Sequence, residues 1–262
     1  MHTATCVAAL PDLLGSYLTG YTVDVLDGYK ISIPLMIIDI FGTVSSFIIL
    51  SNLNGNVQAN GLAVDSVSGD AFIVGVMYET ASTNALITRV GSSGGSNIIW
   101  SGEFNSGGID QFLDVLVNDL GVYVVGYTER FPSTRKTDMV LLHLDVDSGE
   151  IINTARISGP SSIICNSLTQ VESGLRIACS AEDKATLFFL TSDSLTPGNL
   201  PQGYNFSADV QDILIPVSSS NLKRTNSLAM PSRLHISDRN LLQSVQSTRW
   251  PSSAVQLLSD RT

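Results

Sequence analysis

The sequence predicts an all-β protein assembled from repeated four-stranded antiparallel units, and three observations carry that expectation. The first is a recurring stretch. Gly121-Val-Tyr-Val-Val-Gly-Tyr-Thr128 has near-copies in Gly15-Ser-Tyr-Leu-Thr-Gly-Tyr-Thr22 and Gly69-Asp-Ala-Phe-Ile-Val-Gly75, and a weaker one in Gly174-Leu-Arg-Ile-Ala-Cys179. The closing residues Gly20, Gly75, Gly126 and Cys179 stand 55, 51 and 53 positions apart. A fixed period of this size marks a repeat architecture in which each unit buries its apolar face only against a neighbour. The second observation is composition: 15% charged and 44% apolar residues with 21 glycines suit many short strands and tight turns. The third is periodicity, which alternates with period two and contains no long helix of the kind that joins parallel strands.

Each unit reads as four segments. The first is an apolar strand: Thr5-Cys-Val-Ala-Ala-Leu10, Gly61-Leu-Ala-Val-Asp65, Leu113-Asp-Val-Leu-Val117 and Asn166-Ser-Leu-Thr169. The second is the glycine-bounded strand, reached through turns such as Ser68-Gly69 and Asp119-Leu-Gly121 at hairpin distance. Gly15, Gly20, Gly69, Gly75, Gly121 and Gly126 are therefore structural repeat glycines. The third strand is Leu35–Ile40, Ala85–Val90, Met139–Leu144 or Ala185–Leu190, and the fourth is Ser46–Leu50, Asn97–Trp100 or Ile151–Ile157. Four antiparallel strands per unit of about fifty residues match a propeller blade, so the chain reads as a β-propeller of about five blades, whole or incomplete.

Residues 1–207 hold four clear repeats, and 208–262 hold a degenerate fifth in the same domain. In that fifth unit Ile213-Leu-Ile215, Leu234-His-Ile236 and Leu241–Val245 read as its first, third and fourth strands. The last segment, Ser253–Leu258, is one strand extra, either closing the ring beside the N-terminal unit or marking a cut in a longer propeller.

Residues Ile31 to Leu53 are long and apolar enough to imitate a membrane span. Asp39 would sit mid-bilayer at a cost of about 2.5–3.5 kcal/mol, and Met36–Phe41 stands where Met139–Leu144 stands in a later repeat. Two strands and a turn follow, with no transmembrane span. The first ten residues lack the basic-then-apolar order of a secretory signal. A net charge of −10 disfavours nucleic acid and anionic lipid as partners. The charge is uneven, with 8 basic and 20 acidic residues up to 207 and 6 and 4 after it. Cys6, Cys165 and Cys179 are too few for a disulfide framework; Cys165 and Cys179 flank one hairpin, and buried thiols are the expected state.

Asn118-Asp-Leu-Gly-Val-Tyr-Val-Val-Gly-Tyr-Thr-Glu-Arg-Phe-Pro-Ser-Thr134, followed by Asp138-Met-Val-Leu-Leu-His-Leu144 and Ser148-Gly149, resembles the repeat of the SBBP family of β-propeller proteins. The family's pattern is a D-x-x-G-N-x-Y-V-x-G-x-T strand pair, an F-P turn and a D-A-F-V-x-K-L strand. Ala63-Val-Asp65 through Gly75 is similar to it as well, and the likeness runs over roughly residues 5–190. The resemblance implies a propeller and an extracellular or cell-surface setting.

Asp145-Val-Asp-Ser-Gly-Glu150 is the best metal candidate, since the Asp145, Asp147 and Glu150 carboxylates on one turn offer hard oxygens to calcium. The competing reading is a hairpin turn whose Asp and Gly are chosen for backbone angles, and Asp65, Asp70 and Asp119 read the same way. His2, His143 and His235 are tied to no nucleophile motif, and no zinc, Walker or dinucleotide signature occurs. No cofactor is expected. Trp100, Phe104, Tyr78, Tyr127 and Phe131 read either as a sugar- or peptide-binding face or, preferentially, as packing between units. The functional expectation is a non-enzymatic binding module or scaffold with a protein or glycan partner. Its rival is a propeller hydrolase or lyase whose carboxylates converge from different units.

Overall fold

The computed structural model describes residues 2–11, 15–24, 28–53, 55–80, 82–92, 97–130, 136–172, 174–181, 184–191 and 195–198, with the segments 205–208, 214–216, 222–226 and 235–236. The described residues are all strand and turn, without a helix. The first sheet is β1 (His2–Ala9), β2 (Gly15–Asp24), β3 (Lys30–Asp39) and β4 (Val44–Asn52). The second is β5 (Asn56–Val64), β6 (Ala71–Tyr78), β7 (Thr83–Val90) and β8 (Ile98–Phe104). The third is β9 (Asp110–Asn118), β10 (Gly121–Arg130), β11 (Lys136–Leu144) and β12 (Ile151–Ser158). The fourth has three strands, β13 (Ile163–Val171), β14 (Gly174–Ala181) and β15 (Lys184–Leu190). Within each sheet consecutive strands pair antiparallel, so the all-β, repeated four-stranded plan holds. Residues 31–53 are two strands and a turn.

The sheets stack in chain order. Tyr17, Leu35 and Leu50 of the first share a core with Ile73, Met77 and Leu86 of the second. Phe72, Val74 and Ile87 on the other face of the second pack with Phe112, Val124 and Leu142 of the third. Tyr123, Val125 and Leu141 on the far face of the third meet Cys165, Ile177 and Leu190 of the fourth. Because both faces of a middle sheet are covered, its central strand is apolar throughout: β6 is buried from Ala71 to Met77. Hence hydropathy along such strands resembles that of a membrane segment.

The first strands begin earlier than the sequence pattern suggests, and the cause is a β-bulge. Register slips between Ala4 and Cys6, Ala59 and Gly61, Phe112 and Asp114, and Cys165 and Ser167. The extra residue breaks the alternation, so only the portion from the bulge onward shows period two. Opposite the bulge stand Gly20, Gly75 and Gly126, paired with Ala4, Ala59 and Phe112. A Cβ on them would lie 2.0, 1.9 and 1.9 Å from the carbonyl oxygens of Thr3, Gln58 and Gln111. In the fourth unit Cys179 takes that place and is in register with Cys165. Their Cα atoms are 3.9 Å apart and the two form a disulfide, which corrects the expectation of buried thiols.

The expected fifth unit does not form a sheet of its own among the described residues. β16 (Asn205–Ala208), β17 (Leu214–Pro216) and β18 (Leu222–Asn226) add antiparallel to β12, β8 and β4, and β19 (His235–Ile236) adds parallel to β1. The fourth strands would otherwise present unpaired amides and carbonyls, which these segments satisfy. The strands expected at 241–245 and 253–258 lie outside the described residues.

Gly126→Ala should therefore destabilise the protein by about 1–3 kcal/mol in denaturant melts, the range for forced overpacking. Gly91→Ala, whose Cβ would find its nearest neighbour at 3.5 Å, should stay within about 0.5 kcal/mol of wild type. Equal effects would disconnect the repeat glycines from the bulge.

Candidate functional site

The turn joining β11 to β12 is fixed by its first carboxylate. Asp145 Oδ1 accepts hydrogen bonds from Asp147 N (3.1 Å), Ser148 N (2.8 Å) and Ser148 Oγ (2.9 Å). Gly149 closes the turn at φ +73°, a left-handed angle that other residues adopt with strain. Bonds from the Ser148 backbone and hydroxyl hold the Asp145 pKa below the usual carboxylate range. The equivalent turn of the second unit repeats the device, with Asp65 accepting from Val67 N, Ser68 N and Ser68 Oγ and Gly69 at φ +73°.

The three calcium candidates are engaged separately. Asp145 serves its own turn, Asp147 reaches Arg89 at 3.1 Å, and Glu150 is exposed at the rim of a groove. Among the described residues no group of three His, Cys, Asp or Glu side chains is placed to hold a metal ion.

Beneath this turn lies an ion network that the sequence reading missed. Asp70 is not a turn former: its carboxylate takes Arg89 Nη2 at 2.8 Å and Nε at 3.0 Å, and Ser92 N at 2.8 Å. Arg89 then reaches across to the third unit, donating to Val146 O at 2.8 Å. Burial opposes its charge, but hydrogen bonds to Asp70 and Asp147 outweigh that and its pKa rises. The two partners differ in worth. The Asp70 side chain is 8% exposed and that of Asp147 86%, so the second pair is screened and contributes at most about 1 kcal/mol. The available sequence signal was a single arginine inside the apolar run Ala85–Val90, since a buried guanidinium requires a partner.

Trp100 completes the junction. Its Nε1–H donates to the same Val146 carbonyl at 3.0 Å, its ring meets Phe72 edge-on at 5.8 Å, and Gly149 lies against it so closely that a Cβ would fall 2.7 Å from the indole. Trp100 thus packs between units while also lining the groove beside it, and Phe104 packs on Phe112 at 5.8 Å. Tyr78 is part-exposed at the far end of β6, and Phe131 lies outside the described residues. Between the units remains a groove of about 220 Å³ lined by Trp100, Ser101, Gly102, Ser148, Gly149, Glu150 and Ile151. It offers one apolar aromatic wall and a rim of hydroxyl and carboxylate groups.

The first strands supply the other candidate. Along the bulges, Thr5 Oγ1 donates to Ala59 O (3.1 Å), Cys6 Sγ to Asn60 O (2.9 Å) and Asn60 Nδ2 to Phe112 O (3.0 Å). At the last junction Asp114 Oδ2 accepts Leu168 N at 2.9 Å while Oδ1 accepts Val115 N. Burial pushes the Asp114 pKa up, with bonds from Leu168, Val115 and Ser167 opposing. A carboxylate so engaged ties two units together. His143 also has a packing role, stacked on Tyr123 at 4.3 Å with Nε2 2.8 Å from Leu120 O.

Arg89→Met leaves the buried Asp70 carboxylate without its cationic partner and should cost about 3–5 kcal/mol, whereas Asp70→Asn/Arg89→Met together should recover much of that loss. A double variant as unstable as the single one would assign the effect to lost packing. For Asp114 the folded pKa exceeds the unfolded one, so its contribution is full below the ordinary carboxylate pKa and fades as pH rises through the raised value. The stability of wild type relative to Asp114→Asn should therefore be greatest near pH 3.5 and shrink towards pH 7 in paired melts. The chain matches no protein-family model and no curated protein sequence.

Proposed function

We propose that the four units are blades of an incomplete β-propeller, and that the protein is a non-enzymatic binding scaffold whose groove between the second and third units takes a glycan. The observation that carries this reading is the construction of the groove. Its walls come from two units, and Arg89 and Trp100 of one unit converge on a single carbonyl, Val146, of the other. A concavity held that rigidly is preorganised, which lowers the ordering cost of binding. The Trp100 wall with Ser148 and Glu150 at the rim has the mixed apolar and hydrogen-bonding character that a sugar ring presents.

The repeated bulge and glycine favour a propeller-type stack, as does the resemblance of the third unit to the SBBP repeat. The Cys165–Cys179 disulfide fits the extracellular or cell-surface setting which that resemblance implies, because such bonds persist in oxidising compartments.

The test uses Trp100 as its own reporter. In a Trp250→Phe background, which leaves one indole in the chain, titration with a panel of neutral and amino-sugar oligosaccharides should shift the Trp100 emission for at least one of them. Glu150→Gln should weaken that saccharide about tenfold, equivalent to 1.4 kcal/mol. Flat emission at millimolar concentrations of every saccharide would overturn the glycan reading.

A further inference from the structure

Neither the groove nor the packing between units accounts for the triplet Asn205-Phe-Ser207. No other asparagine of the chain is followed two residues later by serine or threonine, and the residue between Asn205 and Ser207 is not proline. The triplet therefore meets the acceptor pattern for N-linked glycosylation, once in the whole chain.

The fold decides whether such a triplet can serve, and here it places the acceptor well. Asn205 is exposed and opens β16, which stands last in the sheet order β16-β12-β11-β10-β9. Its register partner is Ser158, at the end of β12, whereas Phe206 stands opposite Ile157, a fully buried residue of the core between the third and fourth units. Successive residues of a strand point to opposite faces, so Asn205 lies on the face away from Ile157. A sugar on it extends from the margin of the sheet and displaces no core contact. The Cys165–Cys179 disulfide is an independent line of support, because disulfides form in the secretory lumen, the compartment in which N-linked sugars are added.

We propose that Asn205 is an N-glycosylation site, the acceptor of an oligosaccharide carried on a polyisoprenyl pyrophosphate. A bond forms between Asn205 Nδ2 and the anomeric carbon of the first sugar while the bond from that carbon to the pyrophosphate oxygen breaks. The lipid pyrophosphate leaves with the electron pair, Nδ2 gives up one proton to the transferase, and nothing is oxidised or reduced. Among the described residues no strand pairs with the outer edge of β16, so a bulky hydrophilic group at its first residue shields an edge otherwise open to other chains. The proposal rests on the extracellular or cell-surface setting and not on the groove.

The test has two arms. In the first, the full chain is produced behind a cleavable secretory signal in a eukaryotic host, and the secreted protein is treated with peptide-N-glycosidase in heavy-oxygen water. Wild type should lose one glycan, seen as a single mobility shift, and its peptide mass should show Asn205 converted to labelled aspartate. Asn205→Gln and Ser207→Ala should both lose the shift completely, while Ser207→Thr should keep it. Thiol counting checks that each secreted variant retains the Cys165–Cys179 bond and is therefore folded at that junction. Secreted, disulfide-bonded wild type with unmodified Asn205, or a shift that survives in both loss variants, overturns the site and leaves the setting standing. In the second arm the chain is recovered from the cells that make it, under conditions that trap thiols. An oxidised chain carrying the glycan on Asn205 supports the proposal; Cys165 and Cys179 both found as free thiols overturn the setting and the site together.

Discussion

A carbonyl oxygen about 2 Å from the position of an absent Cβ governs this structure. At Gly20, Gly75 and Gly126 the first strand of the unit bulges directly against the second, and only a residue without a side chain lets it come so close. The bulge bends the first strand and leaves its carbonyls available to the neighbouring unit. Thr5, Cys6 and Asn60 use those carbonyls to reach from one unit to the next. The fourth unit meets the same requirement differently, with a cross-strand disulfide where the others have glycine opposite a side chain. A local backbone constraint thereby determines how whole units join.

Magnitudes show which forces hold the stack and which orient it. Each fully buried Val, Leu, Ile or Phe contributes about 1.5–3 kcal/mol, and every inter-sheet core contains many of them. The bonds along the bulges contribute about 0.5–1.5 kcal/mol each. Apolar packing therefore supplies the cohesion. The polar links, including the Arg89 bridge and Asp114, add directional bonds that fix the position of one unit against the next. The residues at the equivalent bulge positions differ widely, as Thr5, Asn60, Leu113 and Asn166, while the apolar pattern persists.

The plan of the fold was legible in the sequence because it is written in local chemistry. Glycine spacing, turn residues such as Asp65 and Asp145, and period-two alternation each belong to one strand or hairpin. What escaped depended on partners distant in sequence. The strand starts were displaced because a bulge cancels alternation. Cys165 and Cys179 looked like core thiols because register, and not spacing, brings them opposite one another. Asp70 passed for a turn former since its partner Arg89 lies 19 residues away, and the groove depends on Val146, a further 57 along from Arg89. Ile213–Ile215 and Leu234–Ile236 read as strands of a fifth sheet because their sequences carry β-propensity but no information on which edge they join.

The two ends of the stack are not alike, and this bears on whether it closes. On the outward face of the first sheet Ala4, Leu18, Met36 and Ile38 are buried and apolar. On the fourth sheet, β14 alternates buried Leu175, Ile177 and Cys179 with exposed Arg176, Ala178 and Ser180, unlike the fully buried runs of β6 and β10. Its neighbours continue that face with exposed Ser167 and Thr169 on β13 and Leu187 on β15. Pressing such a face onto an apolar sheet would desolvate the Arg176 guanidinium and the Thr169 and Ser180 hydroxyls, at a cost of roughly 1–3 kcal/mol for each neutral group left unpaired and more for the charge. The three interfaces inside the stack carry no comparable penalty, because there the one guanidinium of the Phe72 core, Arg89, is paired with Asp70. Among the described residues the fourth sheet thus presents a mixed, largely polar outer face of the kind that suits a terminal repeat, in contrast to the apolar faces within the stack.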